Sequence, residues 1–159
     1  MIYRAGAIPA WNAPAIPAIF LLSALTMGGG LFLTAGVLLN EGGKESAMAA
    51  LLICLIADMT VWAVYLIPSG SDAFLNSRAF FCRPSRLFLV IGVGYLFPLA
   101  ILTELIVADA SGRAMVSRDA LLALAGILAV SGEAVKRVGI ILGASFLMSV
   151  RMTRKQSAP

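Results

Sequence analysis

The sequence predicts an all-α integral membrane protein, a bundle of four transmembrane helices. Apolar residues make up 60% of its 159 residues and the mean hydropathy is +0.96, values above the range of soluble globular domains. Four apolar runs are each long enough to cross a hydrocarbon layer about 30 Å thick. One transmembrane domain, 1–159, is therefore expected to lie in the lipid bilayer, with spans at about 18–39, 46–67, 87–107 and 120–150.

The first run begins like a membrane entry. Trp11 is expected at the level of the membrane interface, and Pro14 and Pro17 stand near a helix start. The apolar core is longer than that of a cleaved signal peptide, and no small-residue cleavage site follows it. Ser23 and Thr26 are then expected about 8 to 12 Å from the inner edge of the membrane.

The second and third runs each contain residues unusual for a membrane span. Asp58 is expected about 18 Å below the outer end of the second helix, close to the middle of the membrane. In the third run, Pro98 lacks an N–H donor, so a kink is expected there. Glu104 lies a turn and a half deeper than the loop residue Asp109 and is a secondary candidate for a polar role.

The fourth run contains three ionisable residues where apolar residues are expected. Glu133, Lys136 and Arg137 all fall at depths inside the hydrocarbon layer. A charge at mid-bilayer costs at least about 2.5 to 3.5 kcal/mol, so unpaired charges there are rare. Glu133 precedes Lys136 by three and Arg137 by four, so both bases can share a helix face with the acid.

These depths predict one polar network in the inner half of the bundle. Two acids and two bases would meet there and sum to zero charge. Three interpretations stay open: a proton path or the polar wall of a quinol site, an ion-pair network that only fixes helix packing, and Lys136 extending its ammonium to the inner surface. The predicted members are Asp58, Glu133, Lys136, Arg137, Ser23 and Thr26.

The net charge of +4 is a topological signal rather than a sign of nucleic-acid binding. With four spans, the two termini and the loop between the second and third spans lie on one side. Lysine and arginine are enriched on the cytoplasmic side of membrane proteins, so both termini are expected in the cytoplasm. That side has Arg4, Arg78, Arg83, Arg86, Arg151, Arg154 and Lys155, and the other side has Lys44, Arg113 and Arg118.

The residue inventory excludes several redox centres. Without histidine the chain cannot ligate a b-type haem through histidine, and a zinc or di-iron site is not expected. Cys54 and Cys82 are far apart and form no C-x-x-C, so an iron–sulfur cluster or a thiol relay is not expected either. The sequence therefore predicts no metal site and no cofactor bound by this chain alone.

Two stretches resemble a known family. The run from Ile8 to Gly28 contains W-N-x-P-x-x-P-x-x-F followed by S-A-L-x-x-G, and the fourth helix reads G-E-A-V-K-R-V-G-I-I-L-G-A from Gly132. Both resemble the second half of the polysulfide reductase/NrfD-type membrane subunits. Trp11 and Asn12 in the first stretch are secondary site candidates. Because family members usually have eight or more helices, this chain resembles their C-terminal half alone.

The resemblance implies a membrane anchor subunit of an oxidoreductase in a bacterial or archaeal cytoplasmic membrane. Its implied partners are an iron–sulfur electron-transfer subunit and a molybdopterin-type catalytic subunit, together with a second four-helix half or a second copy of the chain. The implied function is to link these subunits to the quinone pool and to proton transfer. In the family the quinone pocket is usually built by the N-terminal four helices, so menaquinone or ubiquinone is expected here only at an interface.

Two other classes of function stay open. One is a small dimeric proton-coupled transporter in which Asp58 or Glu133 is the coupling carboxylate. Small drug exporters usually have their key acid in the first helix, and the first run here has none. The other is a structural assembly subunit without a site.

Overall fold

A computed structural model describes residues 16–39, 42–66, 84–113 and 117–156, with the side chains of 66, 86 and 142–156 outside the description. Every secondary-structure element in these ranges is a helix, and they contain no strand. The prediction of an all-α chain is therefore confirmed for the described residues. The predicted site residues Trp11 and Asn12 lie outside them.

A helical element covers each of the four apolar runs. Three stretches, Ile16–Leu38, Lys44–Tyr65 and Phe88–Ala110, are long and apolar enough to cross a membrane. The last helix is not among them, since Glu133, Lys136 and Arg137 interrupt its apolar sequence. The elements are α1 (Ile16–Leu38), α2 (Lys44–Leu66), α3 (Pro84–Leu87), a π-helix (Phe88–Leu96), α4 (Phe97–Ala110) and α5 (Arg118–Gln156).

The long helices pack side by side as a ring of four. α1 packs on α2 and α5, α5 packs on the π-helix and α4, and α2 packs on α4. Ion pairs fix the directions: Lys44 Nζ lies 3.2 Å from Asp119 Oδ1, and Arg118 Nη2 lies 2.6 Å from Asp109 Oδ2. The starts of α2 and α5 therefore meet the end of α4 at one end of the bundle, here called the charged end. Neighbouring helices consequently run antiparallel.

The buried residues of α1 and α2 recur at alternating intervals of three and four. This spacing is the heptad seam of left-handed helix bundles, in which side chains of one helix fit between those of the next. Polar residues lie on this seam while large apolar side chains, such as Phe32 and Ile53, face outward. The seam consists of Ile16, Ile19, Ser23, Thr26, Gly30 and Leu33 on α1 and Met48, Leu51, Leu55, Asp58, Trp62 and Tyr65 on α2.

Two glycine pairs allow α5 to approach its neighbours closely. A Cβ atom added to Gly132 would lie 2.1 Å from the Cα atom of Gly94 in the π-helix. A Cβ atom added to Gly126 would lie 2.5 Å from the carbonyl oxygen of Gly30 in α1. Any side chain at these positions would force the backbones apart, so the absence of a Cβ sets the distance of α5 from both helices.

The third span is irregular before Pro98. Residues Phe88–Leu96 form a π-helix, and the Phe97 N–H donates to the carbonyl oxygen of Gly92, five residues earlier. α4 then starts with Pro98 in its first turn, where the missing N–H costs least. The irregularity expected at the proline therefore takes the form of a widened helix on its N-terminal side, and this segment contains Tyr95.

Candidate functional site

Four ionisable side chains meet inside the bundle, with the ammonium group of one of them in contact with the other three. Lys136 Nζ donates to Tyr95 OH at 2.8 Å, lies 2.7 Å from Glu133 Oε2 and donates to Asp58 Oδ2. All four residues are enclosed, with Asp58, Glu133 and Lys136 each 0% exposed and Tyr95 1% exposed. These four residues are called the buried cluster below.

Three elements supply the members of the buried cluster. α2 provides Asp58 from its heptad seam, the π-helix provides Tyr95, and α5 provides Glu133 and Lys136 from successive turns of one face. Tyr95 follows Gly94 in the chain and Glu133 follows Gly132, so the glycine contact described above holds their backbones at short range. The packing of α5 against the π-helix therefore brings together three of the four members of the cluster.

Tyr95 is hydrogen-bonded on both sides of its hydroxyl oxygen. It donates to Asp58 Oδ2 and accepts from Lys136 Nζ, and its ring stacks on Trp62 with centroids 6.2 Å apart. A buried tyrosine usually finds a partner for its O–H, and here that partner is a carboxylate. Trp62 lies one turn after Asp58 on α2, so the same helix holds both the ring and the acceptor.

The buried cluster contains two carboxyl groups but one ammonium group. Within the described residues, Asp58 Oδ1, Glu133 Oε1 and Glu133 Oε2 have no hydrogen-bond partner, although Oε2 is ion-paired with Lys136. Burying an uncompensated charge is costly, so such a group normally binds a proton or a counter-ion. The chemistry open to this arrangement is therefore the binding and release of a proton.

The cluster lies far from the charged end. At about 1.5 Å per residue, Asp58 is about 21 Å along α2 from Lys44, and Glu133 is about 22 Å along α5 from Arg118. In a hydrocarbon layer about 30 Å thick, this depth falls in the half opposite the charged end. The ammonium of Lys136 does not reach a surface there, since its side chain is fully buried.

Arg137 lies apart from the buried cluster. Its Nε donates to Ser23 Oγ at 2.7 Å, its Nη2 donates to the Phe20 carbonyl oxygen at 3.3 Å, and its guanidinium carbon is 5.9 Å from the centroid of the Phe20 ring. The expectation that Arg137 shares one network with Glu133 is therefore wrong. A step of one residue turns a helical side chain by about 100°, so Lys136 faces the π-helix and α2 while Arg137 faces α1.

The remaining predicted residues are distributed as follows. Thr26 is fully buried on the α1 seam, and its Oγ1 has no hydrogen-bond partner within the described residues. Glu104 is largely exposed and lies 3.6 Å from Arg113 Nη2. It belongs to the charged end and not to the cluster. Trp11 and Asn12 lie outside the described residues.

Sequence reasoning missed Tyr95. The residue stands in the middle of an apolar run, and its hydroxyl group requires a partner wherever the ring is buried. This requirement for a partner, together with an acid, Asp58, at a similar depth on another helix, could have identified Tyr95 from the sequence. Trp62, the ring neighbour of Tyr95, follows Asp58 by four residues and therefore shares its helix face.

Comparisons with known proteins identify no relative of this chain. No family model, no curated protein and no solved structure matches the chain. Within the described residues, no three histidine, cysteine, aspartate or glutamate side chains come together in a way that could hold a metal ion. The resemblance to the polysulfide reductase/NrfD-type subunits stays a prediction from two sequence stretches.

Proposed function

We propose that this chain is a multi-pass membrane subunit of an oxidoreductase complex, and that its buried cluster handles protons inside the bilayer. Its place is the cytoplasmic membrane of a bacterium or archaeon, with both termini in the cytoplasm. Three helices of sufficient length and apolarity support the membrane setting. The distribution of side chains also supports the membrane setting. Asp58, Glu133 and Lys136 lie inside the bundle, while leucine, isoleucine and phenylalanine side chains face outward.

One observation carries the proton-handling role: two carboxyl groups share one ammonium where no described surface reaches them. Ionisable residues inside a membrane are costly and typically belong to proton relays, ion paths or ligand sites. An arrangement meant only to fix packing would need one acid for one base. The additional carboxyl group of this cluster favours a role in proton binding over a purely structural one.

The oxidoreductase assignment rests on the resemblance of the two sequence stretches. In this proposal electrons pass through an iron–sulfur subunit and a molybdopterin-type catalytic subunit, and the chain joins them to the quinone pool. A second four-helix half or a second copy of the chain would complete the membrane part. This chain serves as their anchor and as a route for protons.

A quinone ring does not fit beside the buried cluster as it stands. Asp58, Tyr95, Glu133 and Lys136 have almost no accessible surface, so no opening reaches their polar atoms within the described residues. We therefore place menaquinone or ubiquinone at an interface with a partner subunit. The cluster would supply or accept the protons that accompany quinone chemistry there.

Copurification tests the oxidoreductase assignment. The tagged chain is extracted from its native membranes in mild detergent, and iron and molybdenum are measured in the purified fraction. We expect iron and molybdenum to elute with the chain, together with subunits that hold them. A metal-free preparation would refute the assignment. If that preparation instead drives proton-coupled efflux in sealed vesicles, the chain is a transporter that uses Asp58 or Glu133.

A variant of Glu133 distinguishes proton handling from a structural role. Glu133→Gln removes the additional acid and leaves Asp58 and Lys136 as a neutral ion pair. We expect the complex to assemble with its metals but to lose most quinone-linked proton uptake. Full turnover by this assembled variant would mean that the cluster only fixes helix packing.

A further inference from the structure

We infer that Glu133 holds an exchangeable proton, while Asp58 is the permanent counter-ion of Lys136. The inference deepens the proposed function, on which it rests for the membrane setting, by assigning the proton to one of two carboxyl groups. It also assigns Tyr95 as the residue that positions the charged pair. The assignment follows from the contacts of each carboxyl group.

Asp58 has the contacts of an ionised carboxylate. Its Oδ2 accepts from the Lys136 ammonium and from the Tyr95 hydroxyl. Hydrogen bonds donated to a carboxylate stabilise its charged form, and those from a charged donor are the stronger ones. Tyr95 in turn accepts from Lys136, which closes a triangle of three groups. Asp58, Tyr95 and Lys136 thus satisfy one another as one negative, one neutral and one positive group.

Glu133 has the contacts of the additional acid. Neither of its oxygens accepts a hydrogen bond within the described residues, and Oε2 is ion-paired with the Lys136 ammonium at 2.7 Å. That ammonium is already committed to Asp58 and Tyr95. An ionised Glu133 would therefore leave one negative charge uncompensated in a wholly enclosed site. A proton on Glu133 removes this charge without moving any helix.

Among the side chains that the structure describes, the other helices supply no further cation to the cluster. The described part of α1 has no ionisable residue, and Arg137 of α5 is turned toward Ser23 of that helix. The acids of α4, Glu104 and Asp109, are paired with arginines at the charged end. The count of two carboxyl groups to one ammonium therefore holds for the described side chains of every helix that packs on the cluster.

The same contacts allow the proton to leave. When an opening between helices or a partner subunit brings a proton acceptor to Glu133 and the proton passes to it, the cluster changes from neutral to a charge of −1. Lys136 already touches both carboxyl groups, so its ammonium is shared between two carboxylates in that state. Tyr95 keeps its hydrogen bond to Asp58 throughout, which holds the acceptor in place. Reprotonation of Glu133 restores the neutral state.

Isotope-edited infrared spectroscopy of the full-length chain in lipid vesicles tests this assignment at pH 8, where solvated carboxyl groups are ionised. A protonated carboxyl group has a C=O stretching band that ionised groups lack. We expect a band equivalent to one carboxyl group per chain. The whole band should shift when glutamate is labelled with ¹³C at its carboxyl carbon and stay in place when aspartate is labelled. A shift with aspartate label alone would reverse the assignment, and absence of the band would overturn it.

Charge-changing variants count the protonated carboxyl groups in a second way. Glu133→Gln should abolish the band, because Asp58 and Lys136 then form a neutral pair. Lys136→Met should double it, because Asp58 then loses its counter-ion and binds a proton as Glu133 does. Glu104→Gln, at the exposed charged end, is the matched control and should leave the band unchanged. A band that survives Glu133→Gln would overturn the assignment, and the labelled wild-type chain gives the answer even if a variant fails to fold.

The infrared spectrum and the copurification test different claims, so either result can be negative without the other. A glutamate band in a preparation without iron or molybdenum would refute the oxidoreductase assignment and keep the proton on Glu133. Partner subunits with their metals, but no buried glutamic acid, would refute the present inference and keep the oxidoreductase assignment.

Discussion

Lys136 joins the other three members of the buried cluster. It contacts Asp58, Tyr95 and Glu133, and its side chain is fully enclosed. Removing one member of a buried ion pair costs on the order of 3–5 kcal/mol in soluble proteins, because the remaining charge is left without compensation. In this cluster the free-energy cost is lower when the remaining carboxyl groups bind protons, because a protonated carboxyl group needs no counter-ion.

The Lys136→Met variant should therefore be less stable than the wild type by an amount that grows with pH. Folding of the variant takes up two protons, on Asp58 and Glu133, whereas folding of the wild type takes up one, on Glu133, because the carboxyl groups of both unfolded chains are ionised. Each pH unit then removes about 1.4 kcal/mol of folding stability relative to the wild type. Unfolding in mixed micelles between pH 6 and 8 measures this slope, and a difference independent of pH would contradict the count of protons.

Tyr95 tests the positioning of the charged pair. Tyr95→Phe keeps the ring on Trp62 and deletes the hydroxyl that joins Asp58 to Lys136. Hydrogen bonds to charged groups contribute about 1.5–3 kcal/mol in water-soluble proteins, and those inside membranes average about 0.6 kcal/mol. We expect a loss of about 1–2 kcal/mol in micelle unfolding, with the Glu133 band still present.

An exposed hydroxyl provides the control for Tyr95→Phe. Thr60 Oγ1 donates to the carbonyl oxygen of Ile56 in its own helix and faces outward. Thr60→Val should change stability by less than about 0.5 kcal/mol, as surface substitutions usually do. Equal losses in both variants would mean that the Tyr95 hydroxyl has no special role.

The residue types of the cluster were predictable, but their pairing was only partly so. Asp58, Glu133 and Lys136 stand out in sequence because a bilayer disfavours each of them. The choice between Lys136 and Arg137 as the partner of Glu133 depends on the rotation of α5 about its axis, which neighbouring helices determine. Tyr95 is a common residue in apolar helices, so its role became evident only when its hydroxyl was found beside a carboxylate.

At the scale of elements, α5 owes its position to two glycine contacts. Gly132→Ala would place a methyl group 2.1 Å from Gly94 Cα, and backbone cannot yield as a flexible side chain can. Overpacking typically costs about 1–3 kcal/mol and occasionally more. We expect a loss of at least about 3 kcal/mol in micelle unfolding, together with a weakened or displaced Glu133 band, because the two backbones would separate beside the cluster.

Gly28→Ala is the matched control for this packing prediction. Apart from the adjoining turns of its own helix, nothing lies within 4 Å of the added methyl group, and alanine is favoured over glycine in a helix interior by about 1 kcal/mol. The variant should be as stable as the wild type or slightly more stable. A comparable loss at Gly28 and Gly132 would contradict close approach of the Gly94 and Gly132 backbones as the cause of the effect.

The extents of the helices could be predicted from the sequence far better than their faces. Apolar runs of about 20 residues locate a helix by composition alone. In these runs almost every position is apolar, so hydrophobic periodicity cannot tell the inner face from the outer face. The heptad seam shows itself only through its polar members, such as Ser23 and Thr26 on α1 and Asp58 on α2. The π-helix is as apolar as the α-helical parts of the chain, so its sequence does not distinguish it from an α-helix.

At the scale of the whole molecule, charge is divided between the charged end and the opposite end. At the charged end each base lies within 4 Å of an acid, as Lys44 does with Asp119 and Arg118 with Asp109. The opposite end receives the C-terminal part of α5, whose 39 residues extend about 58 Å and exceed the thickness of a bilayer. Its sequence ends in Arg151, Arg154 and Lys155.

This division predicts the orientation in the membrane. Lysine and arginine near the ends of spans favour the cytoplasmic side, so the charged end should face outward and both termini inward. Single cysteines at Ser111, in the exposed turn after α4, and at Ser157 report the two sides in a background without Cys54 and Cys82. A membrane-impermeant maleimide applied to intact cells should label position 111 alone, and disruption of the membrane should make position 157 reactive. The reverse pattern would place the buried cluster in the outer half of the membrane, so that Glu133 would exchange its proton with the outside rather than with the cytoplasm.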